Sequence, residues 1–325
     1  MITVAFFNNK GGVGKTTLVY HVACMLADMG VKTLAVDLDP QANLTSAFLD
    51  ESTLESLWTS DDATILGAVT PILEGIGDVA DVSTREVRDD LHLICGNLGL
   101  SRFEDKLSDS WSRGFGGDIA ALRVTSAFYR LIQRSGKTLG AQIALMDVGP
   151  NLGAINRACL LAADHLLIPL AADLYSLQGL RNLGPTIRKW RSDWAKPDKS
   201  QATFPLPIGK MSPIGYVVLQ HAVRLDRPVK AYKKWLDRIP SEYSQSVLAA
   251  DSLVSQSGGL LDPNSLASLR NYRSLMPLAQ DARKPMFDLR PADGAIGSHS
   301  QYVQTCYAQF RELTEEILRR VQISF

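Results

Sequence analysis

Ile2-Thr3-Val4-Ala5-Phe6-Phe7-Asn8-Asn9-Lys10-Gly11-Gly12-Val13-Gly14-Lys15-Thr16-Thr17 is the stretch whose reading decides the fold. Its first six residues are β-branched, aliphatic or aromatic, and read as a strand buried on both faces. Three glycines within four positions follow, and then apolar residues at helical spacing. Glycines are needed where a backbone curls so that its N–H groups point inward around an anion, because side chains would obstruct the approach. The helix that opens at Lys15 turns unpaired N–H groups and the positive end of its dipole toward the same anion. A Gly-Lys-Thr sequence between strand and helix places Lys15 at the β and γ phosphates of a nucleotide and the Thr16 hydroxyl at Mg²⁺.

Working outward, aliphatic runs alternate with amphipathic stretches, the pattern of a parallel sheet covered by helices. Strands are expected at Ile2–Phe7, Thr33–Leu38, Leu91–Cys95, Ile143–Val148, His165–Leu170 and Ile214–Leu219, with a short seventh at Ser274–Met276. Helices are expected at Lys15–Met29, Asp118–Gln133, Gly153–Ala163, Ser176–Trp194, Pro228–Ile239 and Gln301–Val321. The fold class that follows is α/β of the P-loop NTPase kind: a mostly parallel, twisted sheet with helices on both faces. One domain, 1–325, is expected. Insertions are expected at about 50–90, which is acidic and poor in strand signals, and at about 240–270, which is rich in Ser, Gly and Asp.

Composition sets the class. The 325 residues are 46% hydrophobic and 21% charged, an ordinary globular balance. No apolar run reaches the eighteen or so residues of a spanning helix, and no basic leader precedes the first strand, so a cytoplasmic protein is expected. Cys24, Cys95, Cys159 and Cys306 are far apart, form no C-x-x-C pair, and read as buried free thiols. The net charge is zero but unevenly spread: Ala35–Ser112 carries sixteen acids against four bases, and Gly179–Arg238 thirteen bases against four acids. Such asymmetry points to a polyanionic partner for the basic part.

Two further segments carry carboxylates. Asp37-Leu38-Asp39-Pro40-Gln41 closes the second strand; acids at i and i+2 on a strand share a side, so both are expected to face the phosphate loop. Asp147 ends the hydrophobic strand Ile143–Met146, the Walker B layout in which a carboxylate holds Mg²⁺ through water.

A strict P-loop has glycine at position 9, where this chain has Asn9 followed by Lys10. Lys10-Gly-Gly-Val-Gly-Lys-Thr-Thr17 instead resembles the deviant motif of the ParA/MinD family, closest to ParA-type partitioning ATPases. Asp37-Leu-Asp-Pro-Gln41 and Asp147-Val-Gly-Pro-Asn-Leu-Gly153 resemble that family's next two motifs. The resemblance implies a Mg²⁺-dependent ATPase that forms a homodimer around ATP, with Lys10 through Thr17, Val13 included, on the nucleotide. It implies that Lys10 reaches into the partner's site, that Asp39 activates the attacking water, and that Thr16, Asp37 and Asp147 serve the metal. It implies further that Gln220 and Pro277 contact the adenine, that a ParB-like partner stimulates hydrolysis, and that the ATP-bound dimer binds DNA without sequence preference on the nucleoid. The family's usual Ser-Glu-Ala-Pro-Ser element is replaced here by Leu278-Ala-Gln-Asp-Ala-Arg283.

Two basic helix faces are candidates for the DNA. One holds Lys230, Lys234 and Arg238 at i, i+4 and i+8; the other has Arg181, Arg188 and Arg191. The last helix mixes Glu312, Glu315 and Glu316 with Arg311, Arg319 and Arg320, which disfavours an anionic membrane and favours a packed helix. Two other readings stay open. One is a positioning or regulatory relative without DNA binding. The other is an iron–sulfur reductase sharing the deviant loop, which requires two cysteines placed to bridge a cluster.

Overall fold

The computed structural model describes residues 1–60, 63–219, 230–250, 262–272 and 274–324, without the side chains of 230–232. Eight strands form one sheet in the order β3-β4-β2-β5-β1-β6-β7-β8. They are β1 (Ile2–Phe6), β2 (Thr33–Asp37), β3 (Arg85–Arg88), β4 (Leu91–Ile94), β5 (Ile143–Asp147), β6 (His165–Leu170), β7 (Ser212–Leu219) and β8 (Ser265–Leu269). All neighbours run parallel except β3, which pairs antiparallel with β4 at one edge.

The central strands are apolar on both faces because each face meets its own helical layer. On one side lie α1 (Lys15–Asp28), α2 (Asn43–Phe48), α3 (Glu51–Thr59), α12 (Leu275–Ala282) and α13 (Ser298–Arg320), which close over Val4, Phe6, Ala35 and Leu145. On the other lie α4 (Ile65–Glu74), α5 (Glu104–Gly114), α6 (Ile119–Thr125), α7 (Ala127–Leu139), α8 (Ala154–Leu161) and α9 (Leu174–Ala195), which close over Ala5, Leu34, Val36 and Ala144. The short helices α10 (Lys230–Leu236) and α11 (Ile239–Glu242) follow β7.

All six long expected strands are present, within two residues of the expected bounds. The expected strand at Ser274–Met276 is instead the start of α12. Three residues are too few to show a period; Leu275 and Ala279, four apart, are the buried pair of a helix. Strands β3 and β8 lie outside the expected list. Arg85-Glu-Val-Arg88 has a polar strand's composition, and only its backbone ladder to β4 makes it one. The expected helix Asp118–Gln133 divides at Ser126 into α6 and α7; of the expected helix Pro228–Ile239, residues 228–229 lie outside the described residues and the rest forms α10 and the start of α11. Pro240 sits in the first turn of α11 and has no N–H with which to continue the ladder from α10. Pro185, by contrast, lies inside α9 without dividing it.

The acidic stretch is not all surface: Ile65, Leu66, Ala68, Val69 and Ile72 of α4 belong to the core. All four cysteines are free and buried. Cys95 and Cys159 are 1% and 0% exposed, so neither is presented for a cluster shared between subunits. The apolar stripe of α13 (Phe310, Leu313, Ile317) is covered within the protein, and α13 lies against α1 and β8. Among the described residues no helix is long and apolar enough to cross a membrane.

Candidate functional site

The loop between β1 and α1 lies at the carboxyl edge of the sheet, where β1, β5 and β2 end side by side: Phe6 is in register with Asp147, and Asp147 with Asp37. This is where open α/β sheets place ligands, since the chain reverses direction there on both sides of the crevice. Gly12 and Gly14 adopt φ of 72° and 85°, left-handed values that L side chains avoid. Gly14 is also crowded, because an added Cβ would stand 3.1 Å from Leu219 Cδ1. Asn8 stitches the loop down: its Nδ2 donates to the Pro169 carbonyl and its Oδ1 accepts the Lys10 N–H at 2.9 Å.

A cavity of about 640 Å³ opens over this loop, lined by Lys10 through Thr17 with Asp39 and Pro150 on the facing wall. Lys15 is 7% exposed and pairs with Asp147, with Asp39 Oδ2 at 4.0 Å. The Thr16 hydroxyl donates to Asp147 Oδ2 at 2.6 Å. Burial raises the Asp147 pKa, and the Lys15 charge opposes that rise. Lys10 is half-buried and pairs with Asp173, the residue that also caps α9 by accepting the Ser176 N–H at 2.9 Å. The deviant lysine is therefore held within its own chain in this conformation.

The two carboxylates of Asp37-Leu-Asp39 part company. Asp39 lines the cavity, whereas Asp37 is fully buried behind it and accepts the Thr45 N–H and hydroxyl at 2.8 and 2.7 Å. The expectation that both face the loop fails because β2 ends at Asp37, so strand alternation does not govern Asp39. Asp37 serves instead as the cap of α2, whose own N-cap residue, Ala42, has no side chain to offer. Burial and the nearby Asp147 charge push its pKa up to about 7.

A second, apolar hollow of about 160 Å³ adjoins the loop, lined by Val13, Thr17, Leu219, Leu269, Tyr272 and Met276 among others. Its lining is mostly apolar. Pro277 takes no part in either lining and is exposed on α12; Met276, one residue earlier, faces both hollows. Gln220 lies outside the described residues. Neither Tyr272 nor Asp173 belongs to a motif quoted above; Asp173, three residues before Ser176 at a helix start, carries the sequence signal of an N-cap.

The arginines expected to form a basic face are engaged elsewhere. Arg181 donates to Glu242 Oε2 at 2.7 and 2.9 Å, Arg188 donates to the Ser246 carbonyl at 2.8 Å, and Arg191 donates to the Met211 carbonyl. They fasten α11 and the turn after it, and the start of β7, to α9. Partners sixty residues away in sequence could not be read from helical spacing. Lys234 remains exposed on α10, its ammonium 5.3 Å from the Trp235 ring centre, and Arg238 lies over the same ring. The side chain of Lys230 lies outside the described residues.

Comparison with known proteins agrees with this geometry. A family model described as "AAA domain" matches residues 1–198. Protein IncC of Escherichia coli is 29% identical over 255 residues, covering 78% of this chain and 62% of that protein. The chromosome-partitioning ATPase Soj of Thermus thermophilus is 28% identical over 189 residues, 58% of this chain and 62% of its own. The matches thus span less than two thirds of these relatives' length. The crystal structure of protein DIP2308 from Corynebacterium diphtheriae superimposes with a TM-score of 0.71 at 23% identity, over 99% of both chains. The chain belongs to the AAA domain family and, within it, to the ParA/MinD-type P-loop ATPases.

Proposed function

We propose that this chain hydrolyses ATP with Mg²⁺, pairs with a second copy around the bound nucleotide, and in that state binds DNA without sequence preference to position a replicon or other cargo. The observation that carries the ATPase reading is the convergence of Lys15, Thr16 and Asp39 on one glycine-lined cavity, with the buried Asp147 holding Lys15 and Thr16 from the end of the neighbouring strand. Inward N–H groups of the loop and the α1 N-terminus bind the phosphates. Lys15, now on Asp147, would turn to the β and γ phosphates. The donors fit Mg²⁺: the Thr16 hydroxyl and Asp147 carboxylate are hard oxygens 2.6 Å apart, beside the phosphate seat. The ion, when bound, neutralises charge on the phosphate oxygens. Asp39, lining the same cavity 4.0 Å from Lys15, is the group that orients the attacking water.

Lys10 completes the site in the dimer. Released from Asp173, its ammonium is long enough to stabilise charge on the partner's transferring phosphoryl group, as an arginine finger does. Relatives that carry partitioning in their names support the DNA and cargo part of the reading, together with the basic stretch ending at Arg238. Lys234 is an exposed member of that stretch, with Lys189, Lys196, Lys210 and Lys233, and Arg181, Arg188 and Arg191 act as structural ties in this reading. A partner that stimulates hydrolysis, of the ParB kind, would set the length of the DNA-bound phase.

The test is binding to a random-sequence DNA duplex with ATP, with ADP and without nucleotide, over a salt series, for the unaltered chain and for Lys10→Ala, Lys15→Ala and Lys234→Glu. Binding is expected only with ATP, lost in both loop variants, and weakened in Lys234→Glu with a salt slope smaller by about one unit. ATP-dependent dimerisation without DNA binding in any state would leave the ATPase and discard the DNA role in favour of protein contacts.

A further inference from the structure

The loop after Asp147 forms the wall that faces the phosphate seat. Pro150 lines the cavity, and a Cβ built on Gly149 would lie 3.5 Å from Asp39 Oδ1. This wall has no secondary structure of its own from Val148 to Gly153. It is held by Asn156 of α8, whose Nδ2 donates to the carbonyls of Gly149 and Asn151 at 2.8 and 2.7 Å. The position of Asn156 depends in turn on how α8 begins.

Its beginning is fixed from another helix. Gly153, the N-cap residue of α8, has no side chain to accept the first N–H groups. Glu104, fifty residues earlier and first in α5, supplies both acceptors: Oε1 takes the Ala154 N–H, and Oε2 takes the Ile155 N–H at 2.8 Å. A carboxylate at a helix N-terminus also meets the positive end of the dipole. Two turns on, Trp111 of α5 lies 4.3 Å beneath the Arg157 guanidinium of α8, so the two helices are joined twice. Behind the contact is a hollow of about 330 Å³ lined by Pro40, Ser101, Asn151 and Asn156 as well as Glu104. The loop therefore has room to shift if the cap is lost.

We infer that Glu104 is a positioning residue for hydrolysis: by capping α8 it sets Asn156, and through Asn156 it sets the Gly149–Gly153 wall against the phosphate seat and Asp39. The inference rests on the ATPase reading above. It differs from a general packing role in one respect. Glu104 touches nothing in the loop between β1 and α1, which holds the nucleotide's other phosphates, so its loss should act on turnover and spare ADP binding.

Gly153 gives an independent handle. Its φ of −74° suits any residue, yet an added Cβ would stand 2.6 Å from Glu104 Oε1 and 2.8 Å from Asn151 Oδ1. Gly153→Ala should therefore displace the carboxylate while keeping its charge in the protein.

The experiment is single-turnover ATP hydrolysis and fluorescent-ADP binding for the unaltered chain, Glu104→Gln, Gly153→Ala and the double variant. Glu104→Gln keeps one acceptor of two, and either single change should slow turnover about tenfold, the size of a lost helix cap. ADP affinity should stay within about twofold, and the double variant should lose less than the product of the two single losses, because both break the Glu104 contact while Gly153→Ala also presses on Asn151. Unchanged turnover in Glu104→Gln, ADP binding that falls in proportion to turnover, or fully additive losses would each overturn the inference. Should Glu104→Gln fail to fold, Gly153→Ala alone decides by the same ratio of turnover to ADP binding. No turnover in the unaltered chain would instead overturn the ATPase reading, and this inference with it.

Discussion

Acidification from pH 7.5 to 5.0 tests the joint between the phosphate-loop helix and the carboxyl-terminal part of the fold. His21 of α1 is 2% exposed, stacked on Phe310 with ring centres 4.9 Å apart. Its Nδ1–H donates to the Thr17 carbonyl at 2.7 Å, and its Nε2 accepts the Met286 N–H at 3.0 Å. Both ring nitrogens are thus used by a neutral imidazole, and a second ring proton would face the Met286 N–H. Burial pulls the pKa down to about 4 from the ordinary 6.5, against weaker upward effects of the Thr17 carbonyl and Asp288. Between those values the unfolded chain binds a proton that the folded chain refuses, so stability is full above pH 6.5 and falls as pH drops toward 4. From the two pKa values the loss by pH 5.0 is about 2 kcal/mol. Asp37, with its pKa pushed up to about 7, pulls the other way in the same window, so the unaltered protein's curve alone does not isolate His21. Urea denaturation of the unaltered chain and of His21→Gln at both pH values does. The stability gap between the two should change by about 2 kcal/mol in the variant's favour on acidification. Parallel pH profiles would refute the argument.

Three other outcomes follow from contacts in and around the site. Lys15→Met leaves the buried Asp147 and Asp39 without their cation, and should cost about 3 kcal/mol of nucleotide-free stability at pH 8 while abolishing hydrolysis; a denaturation midpoint like that of the unaltered chain would contradict the pairing. Arg188→Ala orphans the Ser246 carbonyl and should destabilise by about 1–3 kcal/mol, whereas Lys234→Glu, on an exposed face, should stay within about 0.5 kcal/mol; thermal melts of the two separate structural arginine from surface lysine. Gly184→Ala places a Cβ 1.7 Å from the Ser246 carbonyl oxygen, so α9 and the segment after α11 must separate. A loss of about 1–3 kcal/mol is expected by denaturant titration, and none if that segment does not pack there.

The parts of this protein that were legible in its sequence are those whose signal is local. Ile2–Thr17 carries strand, loop and helix in one stretch, and the glycines at 12 and 14 have the left-handed backbone that their type permits. The apolar runs at 33, 91, 143, 165 and 214 became parallel strands because burial on both faces leaves a composition that no exposed segment shares. Asp39 reached the cavity, and Asp147 the buried side of its Lys15 and Thr16, because each stands at or just past the end of a buried strand at the sheet's carboxyl edge.

What tertiary structure decided are the contacts made across long sequence separations, which leave no period or spacing to read. Strand β3 exists because β4 offers it a ladder, and β8 because β7 does. Arg181 and Arg188 look like a basic face until Glu242 and the Ser246 carbonyl, about sixty residues on, take up their donors. Asp37 and Asp39 look equivalent until the end of β2 turns one to Thr45 and the other to the cavity. Glu104 is one acid of sixteen between Ala35 and Ser112, and only the meeting of α5 with α8 makes it the cap of a helix that has none of its own. Local sequence fixes the backbone states available to each segment, but the partner of a side chain is set by which segments the sheet order brings together.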